Sequence, residues 1–158
     1  MNNTHLHLII NHLPSIGLLI GILVLLAGSL LKKTEVKLTA FGVFIFSAVT
    51  SIFAYYSGEG AEEVAKNLTG ISETLIHTHE EYAEFFFIFT LILGTVSIIS
   101  FIAELKRFRF SKHLMILSLL IALVDGIAVK YVGTSGGEIR HPEIRIEAKM
   151  IDLETEED

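Results

Sequence analysis

Residues 57–87 read SGEGAEEVAKNLTGISETLIHTHEEYAEFFF and separate two strongly apolar segments of the chain. This stretch gathers seven glutamates and two histidines in a chain that is 51% hydrophobic. One interpretation is a solvated loop at one face of a membrane, and the other is a site that binds a metal ion or a haem. The glutamates are Glu59, Glu62, Glu63, Glu73, Glu80, Glu81 and Glu84.

The apolar segments around this stretch predict a membrane protein. The mean hydropathy is +0.59, too high for an ordinary soluble domain. A bilayer is crossed by about 20 apolar residues in a helix, and four predicted helices satisfy this length, at 8–31, 38–56, 72–106 and 114–132. The third has its apolar run at 82–103 and an N-cap signal at Ser72. We therefore predict one all-α domain, an antiparallel four-helix bundle integral to the membrane over residues 5–132, followed by a tail over residues 133–158.

The distribution of charge predicts the orientation of the bundle. The two short connections at 32–37 and 104–112 hold seven basic residues against Glu35 and Glu104. The residues on the other side, counted with the outer ends of the spans, include five basic and fifteen acidic residues. Basic loops of membrane proteins face the cytoplasm, so both termini and six of the seven histidines are expected outside. We expect a multi-pass protein of the bacterial cytoplasmic (inner) membrane, with its site on the extracytoplasmic side and the lipid bilayer around it.

Several functions are disfavoured by what the sequence lacks. There is no cysteine, which excludes disulfides, thiolate-ligated iron–sulfur clusters and covalently attached haem. No nucleotide-binding loop, nucleophile elbow or zinc-protease signature is present, and we expect no nucleic-acid partner. The N-terminus MNNTHLHLII has no basic region of the kind that begins a cleaved signal peptide, so we expect the first span to be retained.

The first span allows two interpretations that differ in where its histidines lie. Proline suits the first turn of a helix, so a helix that begins at Pro14 would leave His5, His7 and His12 in an irregular segment before it. A helix that begins near Thr4 would be kinked at Pro14, and His12 would lie about 10 Å along it. The sequence leaves this choice open.

The third and fourth spans carry polar residues at positions that favour the bundle interior. His79 shares a helical stripe with Thr90, Gly94 and Ser97, small residues typical of helix–helix interfaces. His77 falls on the opposite side with the glutamates and is expected to face water. Asp125 lies well inside the fourth span, where a carboxylate is costly and indicates either a functional group or a packing hydrogen bond.

The segment after the fourth span contains two adjacent glycines. Gly136 and Gly137 allow a tight turn there. Such a turn would bring Arg140 and His141 back over the outer opening of the bundle.

Four motifs in order give the chain a resemblance to a known family. They are His7, His12 and Pro14 in the first span, Gly58 after the second, His79 at the start of the third, and Gly136, Gly137, Ile139 and His141 after the fourth. Over residues 5–146 the chain resembles a bacterial four-helix membrane family of unknown function, whose members occur beside or fused to Rieske and cytochrome c domains. The glutamates in 59–63 and 80–84 are additional to the pattern of that family.

The resemblance implies redox work and a b-type haem. The expected ligands are His12 and His79, with His7 and His141 in reserve and Arg140 as a partner of the haem propionates. The chain would then be an electron-transfer subunit, rather than a stand-alone enzyme, of a respiratory-type assembly with cytochrome c or Rieske partners.

Two alternatives stay open beside the haem. One is a non-haem iron, manganese or zinc site with histidine and glutamate ligands, drawn from His7, His12, His79, Glu62, Glu80 and Glu84. The other is a structural subunit of a membrane complex that binds no cofactor.

Overall fold

The computed structural model describes residues 3–66, 72–141 and 143. All regular secondary structure in these residues is helical, so the predicted all-α class is confirmed for them. Four stretches are long and apolar enough to cross a membrane: His5–Leu30, Thr34–Glu62, Glu73–Leu105 and Ser111–Ile139. The end of the predicted tail, residues 144–158, and the side chains of Glu59, Glu63 and Arg140 lie outside the described residues. The helices are α1 (Asn3–Ile10), α2 (Leu13–Leu30), α3 (Thr34–Lys66), α4 (Glu73–Leu105) and α5 (Ser111–Arg140).

The first span begins at Asn3 and is interrupted once. A turn at Asn11 and His12 separates α1 from α2, and Pro14 lies in the first turn of α2. Proline lacks an N–H group, and it is tolerated there because the first N–H groups of a helix have no acceptor within the helix. A hydrogen bond from Asn11 N to His7 O, at 2.9 Å, joins the turn to α1. A second, from Ile16 N to His12 O at 3.0 Å, joins the turn to α2. Residues 5–10 are therefore helical.

Two helices continue past glycines at which the sequence suggests an end. Helix α3 passes Gly58 and Gly60 and ends at Lys66. Helix α5 passes Gly136 and Gly137 and ends at Arg140, so the predicted tight turn at these glycines is wrong. The glycine at 136 serves a close contact instead: a Cβ there would lie 3.1 Å from Cε1 of His79. Residues 133–140 therefore continue the axis of α5.

The two basic connections end their helices in the same way. Lys32 and Arg107 follow α2 and α4 with positive φ angles of 54° and 53°. In each case the next residue donates its N–H back to the helix, from Lys33 to Gly28 O at 3.0 Å and from Phe108 to Ala103 O at 2.9 Å. These bonds define a Schellman motif, which satisfies carbonyls that the end of a helix leaves free. Left-handed backbone is unfavourable for residues other than glycine. At both turns a basic residue, Lys32 or Arg107, adopts it.

Small residues allow the long helices to approach each other closely. A Cβ on Gly17 would collide with Ser47, one on Gly21 with Phe44, and one on Gly94 with Ala48. Close approach of this kind is typical of helix packing within membranes. The buried apolar core comprises Leu18, Leu25, Ala40, Phe41, Phe44, Phe86, Leu93, Ala122 and Ala128.

The outer surface of the bundle is more apolar than that of a soluble protein, and its interior contains polar as well as apolar side chains. Many large apolar side chains are exposed on its outer surface, among them Leu23, Leu30, Phe53 and Ile127. Buried polar side chains lie inside, and most of them are serines or threonines. A soluble monomer rarely exposes so much contiguous apolar surface. The arrangement suits contact with a lipid bilayer.

Candidate functional site

His7 is fixed by the end of α3. Its Nδ1 lies 3.0 Å from the carbonyl oxygen of Ala54 and 3.3 Å from Oγ of Ser57. A carbonyl oxygen only accepts hydrogen bonds, so Nδ1 carries the proton. The hydroxyl of Ser57 donates to the same carbonyl at 3.1 Å and can accept from His7. In the neutral ring the lone pair that can bind a metal is therefore on Nε2.

His79 is fixed in the same way by the end of α5. Its Nδ1 lies 3.0 Å from Oγ of Ser135. The hydroxyl of Ser135 donates its own proton to the carbonyl of Tyr131, at 2.8 Å, and lies 3.2 Å from that of Val132. Because this proton is engaged, Oγ accepts from Nδ1 of His79. The neutral ring of His79 therefore also carries its free lone pair on Nε2.

The two histidine sites share a sequence pattern that the sequence analysis missed. Ser57–Gly58 and Ser135–Gly136 occur near the ends of α3 and α5, and a small or β-branched residue lies three positions before each serine. Both serines are buried. Each glycine lies against a histidine: a Cβ at Gly58 would lie 3.5 Å from Cε1 of His7, and one at Gly136 3.1 Å from Cε1 of His79. The repeated Ser-Gly pair at the ends of two membrane spans is the signal that would have identified these residues.

The two histidines lie at the same end of the bundle, which we call the histidine end. Both rings are partly buried. Two aromatic pairs lie near this end: Tyr55 stacks on Phe87 at 4.3 Å between ring centroids, and Tyr82 on Tyr131 at 5.3 Å. The structure thus places one imidazole from α1 and one from α4 at the same end of the bundle, each held through its Nδ1 atom.

The remaining histidines of the sequence analysis lie elsewhere. His12 is exposed at the turn before α2, and no described contact joins it to His79. His141 is exposed at the end of α5, with Nδ1 2.8 Å from Oε1 of Glu143. His77 is also exposed, as predicted, with Nδ1 3.6 Å from Oε1 of Glu81. His7 and His79 are therefore the partly buried histidines at this end of the bundle, whereas His12, His77 and His141 are exposed.

The glutamates of residues 57–87 interact with each other and with a lysine. Glu62 forms an ion pair with Lys66, and its carboxyl group lies close to that of Glu80. The carboxylate of Glu62 raises the pKa of the Lys66 amine above its ordinary value. Glu84 is exposed. Within residues 3–66, 72–141 and 143, no three histidine, aspartate or glutamate side chains come close enough together to hold a metal ion.

Asp125 lies deeper, between α4 and α5. Its side chain is fully buried, and Oδ2 accepts a hydrogen bond of 2.8 Å from the hydroxyl of Thr90. Thr90, Gly94 and Ser97 are all buried, which confirms that the predicted stripe of α4 faces the interior. Asp125 makes no described contact with either histidine of the histidine end.

The candidate site therefore consists of His7 and His79, held by Ala54, Ser57 and Ser135. The resemblance to the haem-associated membrane family rests on the sequence motifs alone, because no family model, curated protein or solved structure matches this chain.

Proposed function

We propose that this chain is a multi-pass protein of the bacterial cytoplasmic membrane that carries a b-type haem near its outer face. The four spans form an antiparallel bundle with both termini outside. The contacts of Gly17 with Ser47 and of Gly28 with Lys37 support opposite directions for α2 and α3. The basic turns at Lys32 and Arg107 support a cytoplasmic location for the end opposite the histidines.

The observation that carries the proposal is that His7 and His79 are both held by a hydrogen bond at Nδ1. Each ring donates Nδ1–H to an oxygen of the neighbouring helix, to Ala54 in one case and to Ser135 in the other. Histidines that bind metals are commonly held by such a bond, which fixes the tautomer and the ring orientation and increases the basicity of the other nitrogen. Two neutral imidazoles on different helices at one end of a bundle could both serve as ligands of a haem. They fit a non-haem site less well, because such a site needs further ligands.

The roles of the surrounding residues follow from their contacts. Ala54 and Ser135 would keep each Nε2 deprotonated and directed, and Gly58 and Gly136 leave room for the rings beside the helices. When bound, haem would supply reversible one-electron transfer. The aromatic pairs Tyr55–Phe87 and Tyr82–Tyr131 would limit the access of water from the bundle surface.

The proposed role in the cell is electron transfer within a respiratory-type assembly. We propose His7 rather than His12 as the second ligand beside His79, because the Nδ1 atoms of His7 and His79 are both held by hydrogen bonds, whereas His12 is exposed. Arg140 stays a proposed partner of the haem propionates. Cytochrome c or Rieske proteins are the proposed redox partners, on the basis of the family resemblance.

The test is the absorption spectrum of the protein purified in detergent from haem-supplied cells, oxidised and then reduced with dithionite. We expect a Soret band, sharp α and β bands on reduction, and about one haem per chain from the two-ligand site. His79→Ala should abolish these bands. His77→Ala is the matched control, because this ring is exposed and points to Glu81, and it should retain them.

Other results would support the alternatives. A colourless protein with stoichiometric iron, manganese or zinc would indicate a site formed with Glu62, Glu80 or Glu84. A colourless, metal-free protein that still assembles with partner proteins would indicate a structural subunit.

A further inference from the structure

Asp125 is a buried carboxyl group with no charged partner. No charged side chain among the described residues acts on it, and its one protein hydrogen bond comes from Thr90. Its other oxygen, Oδ1, is buried and has no partner in the described part of the chain. An ionised carboxylate in such a place is strongly disfavoured, because neither water nor a cation compensates the charge.

The charged and titratable groups of the surrounding helices all lie away from Asp125. Helix α2 has none. On α5, Lys130 is exposed and its amine lies 6.0 Å from the centroid of the Tyr131 ring, and His113 is exposed at the start of the helix. On α4 the buried charge is Glu104, which pairs with Lys37 of α3 about 20 Å along the helix from Thr90. On the other side of Thr90, Glu84 is exposed, and Glu80 lies about 15 Å away towards the histidine end.

Buried hydroxyl groups of α4 and α5 continue from Asp125 towards this Lys37–Glu104 pair, at what we call the basic end. Ser97 lies two turns from Thr90 on α4, and its Oγ is buried without a partner in the described residues. Ser100 follows, and its hydroxyl lies 3.0 Å from that of Ser118 on α5. We call Thr90, Ser97, Ser100 and Ser118 the hydroxyl column.

The column reaches the surface of the bundle at a polar group. The amine of Lys37 and the hydroxyl of Thr34 both donate to Oε1 of Glu104. Glu104 is largely buried, whereas Lys37 is partly exposed. Glu104 lies one turn beyond Ser100 on α4, so the pair lies between the column and the solvent at the basic end.

Towards the histidine end, the buried residues of α4 and α5 next to Thr90 and Asp125 are apolar. Between Thr90 and the histidine end, the buried residue of α4 nearest to Thr90 is Phe86. On α5 the buried residue between Asp125 and Ser135 is Ala128. No buried hydroxyl group occurs on these two segments. On α4 and α5, the buried hydroxyl groups nearest to Asp125 therefore lie towards the basic end.

We propose that Asp125 is a proton-binding group in the middle of the bundle and that the hydroxyl column, bridged by water, exchanges its proton with the basic end. The step is a proton transfer: hydronium at the basic end gives one proton to the carboxylate, leaving water and a neutral carboxylic acid, and the reverse step releases it. The unpartnered oxygens of Asp125 and Ser97 provide sites for bridging water. This inference rests on the interior of the bundle and is independent of the proposed haem.

Infrared spectroscopy of the protein in lipid nanodiscs tests the protonation state. We expect the carbonyl stretching band of a protonated carboxylic acid at neutral pH in the parent protein, and its loss in Asp125→Asn. Thr90→Val keeps the carboxyl group but removes its hydrogen bond, and should move the band to higher frequency. Absence of the band in the parent at neutral pH, or an unmoved band in Thr90→Val, would overturn the proposal.

Transfer into heavy water tests the path. The band should shift as the carboxyl proton is exchanged, and the double variant Ser100→Ala, Ser118→Ala should slow this shift at least about tenfold, since bridged hydroxyls carry the proton. The matched control is Thr95→Val, because Thr95 is an exposed hydroxyl residue of the same helix. Exchange that is equally fast in the double variant, or equally slowed in Thr95→Val, would refute the column as the path.

Discussion

The contact between α2 and α3 at Gly28 gives a prediction of stability that is independent of any cofactor. A Cβ at this position would lie 2.9 Å from the backbone nitrogen of Lys37 and 3.2 Å from the carbonyl carbon of Val36. Carbon atoms in contact normally lie about 3.5 to 4.0 Å apart. The neighbouring atoms belong to the backbone, so they cannot yield by a change of rotamer. Gly28→Ala must therefore move the helices apart by about half an ångström at this point.

The magnitude follows from two opposing effects. Overpacking a close contact costs about 1 to 3 kcal/mol, and replacing a helical glycine by alanine returns about 1 kcal/mol. The control is Gly42→Ala, because a Cβ there has no neighbour within 4 Å and only the favourable effect remains. The two variants should thus differ by about 1 to 3 kcal/mol in their free energy of unfolding, with Gly28→Ala the less stable.

The assay is unfolding in mixed micelles with increasing sodium dodecyl sulfate, followed by circular dichroism. The separation at Gly28 would also displace Lys37, whose amine pairs with Glu104 on α4, so the loss should include weaker contact between α3 and α4. Equal stability of the two variants would refute the close packing of α2 on α3.

Two further predictions concern the orientation and the histidine end. The chain has no cysteine, so single cysteines can be introduced as labelling sites. A cysteine at position 33 should react with a membrane-impermeant reagent only after spheroplasts are broken, whereas one at position 72 should react in intact spheroplasts. The opposite result would show that the orientation of the bundle is the reverse of the one proposed. Ser135→Ala and Ser57→Ala should weaken haem binding to a similar extent, each by at most about 10- to 100-fold. A backbone carbonyl remains beside each ring, that of Val132 for His79 and that of Ala54 for His7. A much larger loss in one variant would show that the carbonyl does not hold that ring.

The four spans could be predicted because each needs only a long apolar run. The inward face of α4 could be predicted from the helical spacing of Thr90, Gly94 and Ser97, since residues with this spacing share one face. The burial of Asp125 followed from its depth in the fourth span. These features depend on the local sequence of one helix.

The ends of α3 and α5 could not be predicted, because glycine can either end a helix or allow a neighbouring group to pack closely against it. It weakens a helix in isolation, and Gly136–Gly137 therefore suggested a turn. It also permits close approach, and Gly136 has this role because His79 packs against it. Only the position of the other helix distinguishes the two.

The choice between His7 and His12 depended on the geometry of the interruption at Asn11. Five residues correspond to about 140° around a continuous helix, and the turn before Pro14 changes this angle further. The sequence does not give the resulting rotation of α1 relative to α2. The partners of His7 could not be predicted either, because Ala54 contributes a backbone carbonyl and not a side chain.

The measurement that tests the central claim most directly compares His7→Ala with His12→Ala in the absorption spectrum of the reduced protein. If His7 and His79 are the two ligands, His7→Ala should lose the sharp α and β bands of six-coordinate haem, and added imidazole should restore them. His12→Ala should keep the parent spectrum, because His12 is exposed away from the pair. Loss of the bands in His12→Ala together with their retention in His7→Ala would contradict the account.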